Sequence, residues 1–221
     1  MANIKKSLLA AVVALAGALV FGKTWSHSIG LALATPVYSF NVKEEGCKSA
    51  FAPQLSARYY GERENGFCLT GTANAGVLIS KDFKLDNEDD VAAGLSLGLS
   101  FGAGYAFHVS DSFTFAALGS LSFDCAKVRK RKEFSAAVSY GTVTSKWTQT
   151  ETLLAFGIGA EALGIFKLTD RVSLWGSLAF RFFDAGTFVR DGEKQGNSYS
   201  KSFEVRGNVS VTPSFGASWI F

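Results

Sequence analysis

Few residues of this sequence have the types and spacing that chemistry requires. Gly94-Leu-Ser96-Leu-Gly98 matches the G-x-S-x-G pattern of serine hydrolases, in which a sharp strand-to-helix turn presents the serine. Here the pattern lies inside an unbroken strand-like segment, so it predicts no nucleophile. Neither His27 nor His108 is predicted to lie beside both a carboxylate and a serine. We therefore expect no catalytic residues and no enzymatic activity.

The cysteines and the overall charge argue against other classes of site. Cys47, Cys68 and Cys125 are an odd set without C-x-x-C spacing, which argues against a metal or redox centre. Their pairing cannot be deduced from the sequence. The formal net charge of +3 is too small to predict nucleic-acid binding. We therefore expect no metal, no cofactor and no nucleic-acid partner.

A set of charged residues remains, and their parity places them on the small-residue side of the predicted strands. Glu161 lies diagonally across from Arg181 on a hairpin centred at Asp170. Paired charges suit an interior of low dielectric constant, so a structural ion network is a simpler interpretation than a conduction path. The predicted interior charges are Arg58, Asp124, Glu161, Arg181, Glu204 and Arg206.

The element that must position these residues is a β-strand with strict alternation. From Val91 to Val109 the odd positions carry Val, Ala, Leu, Phe and Tyr, whereas the even positions carry Gly, Ser, Ala and His. Successive side chains on a strand point to opposite faces, so one face is bulky and apolar and the other is small. This pattern is the basis of the fold prediction.

Two other interpretations of the segment fit less well. A membrane helix is favoured by the absence of charge and by Gly94-x-x-x-Gly98-x-x-x-Gly102, but small residues at every even position have no common face on a helix. A soluble barrel such as a lipocalin would carry Lys, Glu and Thr on its second face. Bulky residues facing lipid around a narrow interior of small residues fit the pattern better.

The same alternation recurs and predicts an all-β fold, an eight-stranded antiparallel up-and-down transmembrane β-barrel. Such a barrel has an interior that side chains nearly fill, so we expect no sizeable pore. Short connections at Asn65-Gly66, Asp111 and Asp170 alternate with long polar ones. Short periplasmic turns and long surface loops are the usual asymmetry of such barrels. The long loops are predicted at about Lys43–Phe51, Asp82–Asp90, Ala126–Glu151 and Asp184–Lys201.

The N-terminus has the composition of an export signal. Lys5 and Lys6 precede an uncharged apolar stretch that ends at Phe21. We predict a signal peptide at residues 1–22, with cleavage after Gly22, and the barrel at residues 23–221. A retained anchor helix is the alternative, but the apolar stretch is short for a membrane span, which needs about 20 residues.

The C-terminus carries the most specific motif, Val211-Thr-Pro-Ser-Phe215-Gly-Ala-Ser-Trp219-Ile-Phe221. Together with the strand pattern it resembles small bacterial outer-membrane barrels of the OmpW, OmpX and OmpA-barrel type, over about Ser28 to Phe221. The resemblance implies an outer-membrane location in contact with lipid. It also implies that the barrel-assembly machinery recognises the terminal strand during biogenesis, through Phe215, Trp219 and Phe221. Pro213 departs from the usual pattern.

Two further features are candidates for interaction. Pro36 and Pro213 are expected at similar heights on the first and last strands, and each lacks an N–H donor. They mark a candidate lateral seam, for which a harmless bulge is the simpler interpretation. A basic loop could engage anionic glycans or lipid headgroups, although solubility alone explains it. Its residues are Lys127, Arg129, Lys130, Arg131 and Lys132.

The resemblance leaves two functional classes open. An OmpW-like protein would bind or pass small hydrophobic molecules across the outer membrane. An OmpX-like protein would contact host or envelope partners, including host surface polymers, through its extracellular loops. A side opening above a dry apolar pocket would favour the first class. A filled lumen and long β-structured loops would favour the second.

Overall fold

The computed structural model describes residues 25–43, 46–80, 92–138, 141–194, 197–205 and 207–221. The predicted signal peptide, the predicted loop Asp82–Asp90 and Arg206 lie outside the described residues. Within the described ranges, no helix has the length and apolar character needed to cross a membrane.

The described residues form eleven strands, which confirms the all-β, antiparallel prediction. The strands are β1 (Trp25–Ala34), β2 (Val37–Val42), β3 (Gly46–Phe51), β4 (Gln54–Arg63), β5 (Phe67–Ser80), β6 (Ala92–His108), β7 (Phe113–Val138), β8 (Gly141–Lys167), β9 (Val172–Lys194), β10 (Asn197–Val205) and β11 (Asn208–Ile220).

The strand pairings form a ring. Starting at β1, antiparallel pairing runs through β11, β9, β8, β7, β6, β5 and β4 and returns to β1. Strands β2, β3 and β10 continue the wall above β1, β4 and β11, from which they are separated by interruptions at Thr35-Pro36, Ala52-Pro53 and residues 206–207. Ring closure removes the open sheet edges that lipid would not tolerate.

One end of the ring carries three tight turns, as the sequence predicted; we call it the turn end. Gly66 takes a positive φ of 84° and donates its N–H to the Arg63 carbonyl. At the two Asp-centred turns the Ser110 and Thr169 hydroxyls accept hydrogen bonds from the N–H groups of Phe113 and Val172. Phe107 pairs with Phe115 across the first of these turns. Local residues therefore determine this end.

The opposite end differs from the prediction, and we call it the hairpin end. Three of the predicted loops, Lys43–Phe51, Ala126–Glu151 and Asp184–Lys201, are largely β-structure. Strands β7 and β8 stay paired from Phe113↔Phe166 to Val138↔Gly141. The basic residues predicted in a loop therefore lie on β7. These segments were predicted as loops because they are polar. A strand whose faces are exposed to solvent needs no apolar residues to pair with its neighbour.

The lower wall has the predicted orientation, with bulky side chains outward. Leu95 and Phe101 on β6 are 54% and 46% exposed, whereas Ser96 is 1% exposed in the interior. The Phe113–Phe123 segment of β7 has an outward apolar face of the length that a membrane-spanning strand needs, about 9–11 residues.

Above this belt the polarity of the wall inverts. On β7 the outward row changes from Phe123 to the exposed Lys127 and Arg129. The inward row changes over the same stretch from Ser122 and Asp124 to Ala126 and Val128, all buried. A wall that is apolar outside and polar inside thus becomes one that is polar outside and apolar inside. We interpret the inversion as the boundary between lipid and water.

Candidate functional site

Two clusters of buried apolar side chains occupy the interior, one at each end. The hairpin-end cluster includes Tyr38, Phe40, Leu78, Leu153, Phe183, Phe188, Phe203 and Val205. The turn-end cluster includes Tyr60, Cys68, Leu118, Leu163 and Trp175. Between them lies a layer of buried charges, Arg58, Asp124, Glu161 and Arg181.

Arg58 is the centre of the charged layer. Its guanidinium forms an ion pair with Glu161, and both side chains are 6% exposed. The guanidinium carbon also lies 4.4 Å from the centroid of the Trp175 ring. Removal of water makes both interactions stronger than they would be on a surface. Glu161 pairs with Ala179 on β9, so Arg181 lies diagonally across from it, as predicted, and ring closure adds Arg58 as the ion-pair partner of its carboxylate.

The second half of the layer is built around Asp124. The Tyr38 hydroxyl donates to Asp124 Oδ1 at 3.1 Å, and Arg181 interacts electrostatically with the carboxylate. Arg181 Nη2 donates to Ser100 Oγ at 3.4 Å. The two halves tie β2, β4, β6, β7, β8 and β9 together across the interior, which suits a structural network.

At the turn end a vestibule of about 250 Å³ and a cavity of about 10 Å³ share Ser28, Tyr60 and Ile165 in their walls. Arg58 and Trp175 line the small cavity, where Arg58 Nη1 and Trp175 Nε1 are buried donors without a partner. Such a cavity has room for about one water molecule, which could accept both hydrogen bonds. This cavity therefore fits a single water molecule and is too small for a solute.

The structure brings His108 to an acid and a hydroxyl, a grouping that the sequence reasoning missed. His108 Nε2 lies 2.8 Å from Glu62 Oε1, and His108 Nδ1 lies 3.0 Å from Thr114 Oγ1. His108 and Thr114 are cross-strand partners, so the register alone explains their contact. The imidazole is 64% exposed and surrounded by solvent. We keep the expectation of no catalysis as a prediction.

The remaining predicted charges have different positions. Glu204 lies on the exposed face of β10, whereas Val205, predicted to face lipid, is fully buried in the hairpin-end cluster. The alternation shifts by one residue between Val205 and Asn208, which are both buried, and Gly207 in this stretch has a φ of 64°; this shift explains the difference. Phe215, Trp219 and Phe221 expose their rings on the outer face, Trp219 and Phe221 near the turn end and Phe215 close to the proline interruption.

The two predicted seam prolines lie at the same height. Ala34 pairs with Ser214 below them and Val37 pairs with Val211 above them. Thr35 still donates its N–H to the Pro213 carbonyl at 3.0 Å. The ladder is thus interrupted briefly and is paired on both sides of the interruption.

Beyond the polarity inversion, four strands continue as what we call the protruding sheet. It comprises residues 129–138 of β7, 141–151 of β8, 189–194 of β9 and 197–204 of β10. Residues of all four strands line a groove of about 530 Å³ on this sheet. At the base of the sheet Arg190 of β9 forms an ion pair with the buried Glu151 of β8, in which Arg190 Nη2 lies 2.8 Å from Glu151 Oε1.

No family model and no curated protein match the chain. Among solved structures, neisserial surface protein A is similar at 16% identity and TM-score 0.51, over 88% of this chain and 97% of that one. A major outer membrane protein from Thermus thermophilus has 14% identity and TM-score 0.50, over 87% and 99%. The chain has the fold of a bacterial outer-membrane β-barrel. The predicted all-β, antiparallel outer-membrane barrel is therefore confirmed, and with it the outer-membrane location that this fold implies, whereas the number of eight strands stays a prediction.

A third structure, the attachment invasion locus protein Ail of Yersinia pestis, has 15% identity and TM-score 0.40, over 89% of this chain and 97% of that one. These identities are too low to transfer a ligand or a partner. In the described ranges no group of three or more His, Cys, Asp or Glu residues is arranged to hold a metal ion.

Proposed function

We propose that this chain is an eight-stranded outer-membrane barrel that acts at the cell surface through its protruding sheet. In this proposal β1 and β2, β3 and β4, and β10 and β11 are each one membrane strand with a short interruption, so the eleven strands form eight. The turn end faces the periplasm and the hairpin end faces outward, because short turns and long surface segments have this arrangement in outer-membrane barrels.

The observation that carries the proposal is the length of the β7–β8 hairpin. The lipid-facing row of β7 ends near Phe123, whereas pairing with β8 continues to Val138. This adds on the order of 50 Å of strand beyond the belt. Such an ordered extension contributes nothing to a lipid-embedded wall and supports a role in contacting partners.

The filled interior supports the same function over transport. The hairpin-end cluster buries Phe183 and Phe188, at 1% and 0% exposure, where a solute would have to enter. The charged layer below it leaves a cavity for about one water. A path through the lumen would require displacement of both, which favours a surface function.

A test removes the extension while keeping the barrel. Residues 130–149 are replaced by a two-residue turn, which joins paired positions on β7 and β8. Folding is checked by heat-modifiable migration on a gel. We expect the variant to fold and to lose attachment of expressing cells to epithelial monolayers. Unchanged attachment by a folded, surface-expressed variant would contradict the proposal.

Passage of small hydrophobic molecules is a second candidate, favoured by the proline row. Thr35 lies between Pro53 on one neighbouring strand and Pro213 on the other, and neither proline has an N–H to donate. A cysteine pair at Ala34 and Ser214, in a background without the native cysteines, would lock this seam when oxidised. Uptake of an apolar dye that falls on oxidation would support passage, and unchanged uptake would argue against it.

A further inference from the structure

We infer that the groove on the protruding sheet binds an uncharged, hydroxyl-rich oligosaccharide. This rests on the proposed surface function and names the chemistry of its partner. The groove has a volume of about 530 Å³, which lies within the range of small-ligand sites, about 300–1,000 Å³.

The sheet register builds the groove in two rows that cross the strands. Arg129, Thr150, Asp191 and Ser200 occupy successive strands in the first row. Thr148, Glu193 and Ser198 occupy the next row, two residues further along each strand. All seven line the groove. Backbone pairing thus places charged and hydroxyl side chains alternately across the four strands of the sheet.

The floor of the groove is the sheet backbone, and a contact on the opposite face of the sheet fixes its shape. On that opposite face the Tyr199 ring occupies the space that a Cβ atom at Gly192 would need. The Tyr199 hydroxyl donates to Gln149 Oε1 at 3.1 Å, which anchors the ring. The floor is therefore fixed before a ligand arrives, which lowers the entropic cost of binding.

The charges select among ligand classes. Asp191 accepts a hydrogen bond from Ser200 Oγ at 2.6 Å, so its carboxylate is held in place. Asp191 and Glu193 would repel a sulfated or phosphorylated ligand, and Arg129 would repel a cationic one. Carboxylates accept from sugar hydroxyls, Arg donates to them, and Ser and Thr do both. The hydroxyl groups of an uncharged sugar can therefore form hydrogen bonds with the carboxylate, Arg, Ser and Thr groups of the groove.

The test uses the full chain in phospholipid nanodiscs and an array that prints uncharged oligosaccharides beside sulfated, sialylated and phosphorylated ones. We expect uncharged sugars to bind. The double variant Asp191→Asn/Glu193→Gln should bind them at least about tenfold more weakly, because hydrogen bonds to charged groups are the stronger ones. Two controls are Lys127→Gln, on the same face outside the groove, and Glu64→Gln, an exposed carboxylate at the turn end.

Binding confined to the charged sugars, or stronger binding of them by the double variant, would overturn the inference. So would uncharged sugars that bind the wild type and the double variant equally. These outcomes differ from failure of the surface function. If the hairpin deletion abolishes cell attachment while uncharged sugars do not bind, the surface function stands and the sugar groove does not.

Discussion

Arg58 lies against Trp175 in the interior, with its guanidinium carbon 4.4 Å from the ring centroid. The same guanidinium forms an ion pair with Glu161. Arg58 comes from β4, which is distant in sequence from β8 and β9, the consecutive strands that carry Glu161 and Trp175. A cation buried at this depth needs both partners, because it has lost the water that would otherwise solvate it. The barrel therefore depends on this contact more than on any surface ion pair.

Removal of the anion should be costly. Glu161→Ala leaves Arg58 buried without its carboxylate, and we expect a loss of about 3–5 kcal/mol in the free energy of unfolding. The double variant Arg58→Leu/Glu161→Leu should recover most of this loss. Urea unfolding in lipid vesicles measures both, and Glu193→Gln on the exposed sheet is the control. A Glu161→Ala loss as small as that of the control would contradict the network.

Tyr38 should contribute through its hydroxyl. Tyr38→Phe keeps the ring in the hairpin-end cluster but removes the donor to Asp124, whose Oδ2 already lacks a partner. We expect a loss of about 1–3 kcal/mol in the free energy of unfolding. Tyr105→Phe, on the lipid-facing side of β6, is the matched change and should cost less than about 0.5 kcal/mol. Equal effects of the two substitutions would show that the buried hydrogen bond is not made.

Gly104 and Gly71 make a pair that tests the close approach of β6 and β7. A Cβ atom at Gly104 would overlap with the Ala117 carbonyl oxygen, a backbone atom that cannot move aside. A Cβ atom at Gly71 would meet only the Phe101 ring, at 3.8 Å. We expect Gly104→Ala to reduce the folded fraction on a heat-modifiability gel severalfold and Gly71→Ala to leave it unchanged. A well-folded Gly104→Ala protein would contradict the register.

Cys47 reports which end of the barrel faces outward. It is exposed on β3 at the hairpin end, whereas Cys68 is fully buried in the turn-end cluster. In a chain that keeps only Cys47, a membrane-impermeant maleimide should label intact cells. A chain that keeps only Cys68 should be labelled only after unfolding. Labelling of Cys47 that requires permeabilised cells would reverse the proposed orientation.

The lower wall and the turn end could be predicted from the sequence because local residues determine them. Alternation gives the two faces of β6, and the Asp111 and Asp170 turns follow from side chains that bond their own backbone. The protruding sheet could not be predicted in this way. Its segments are rich in polar and charged residues and lack a long apolar alternation, so their order comes from cross-strand pairing, although the β-branched Thr148 and Thr150 are a weak indication of a strand.

The site depends on contacts that only ring closure creates. Glu161 and Arg58 are distant in sequence. The alternation of the sequence predicted that each points inward, but it could not predict that they pair with each other. Glu204 shows the other limit, because one extra residue near Gly207 exchanges the two faces of a strand. The inversion of polarity was missed because it lies in segments that were predicted as loops. Ala126 and Val128 on β7 and Phe188 on β9 are buried above the belt.

The most direct test of the central claim is the solvent exposure of two positions on β7, Leu121 in the apolar belt and Lys127 above it. Single nitroxide labels at these positions, in a chain reconstituted in lipid, are compared for collision with oxygen and with a water-soluble nickel chelate. The account predicts that the Leu121 label collides with oxygen and is shielded from nickel, and that the Lys127 label behaves oppositely. Nickel access equal at both positions would contradict it.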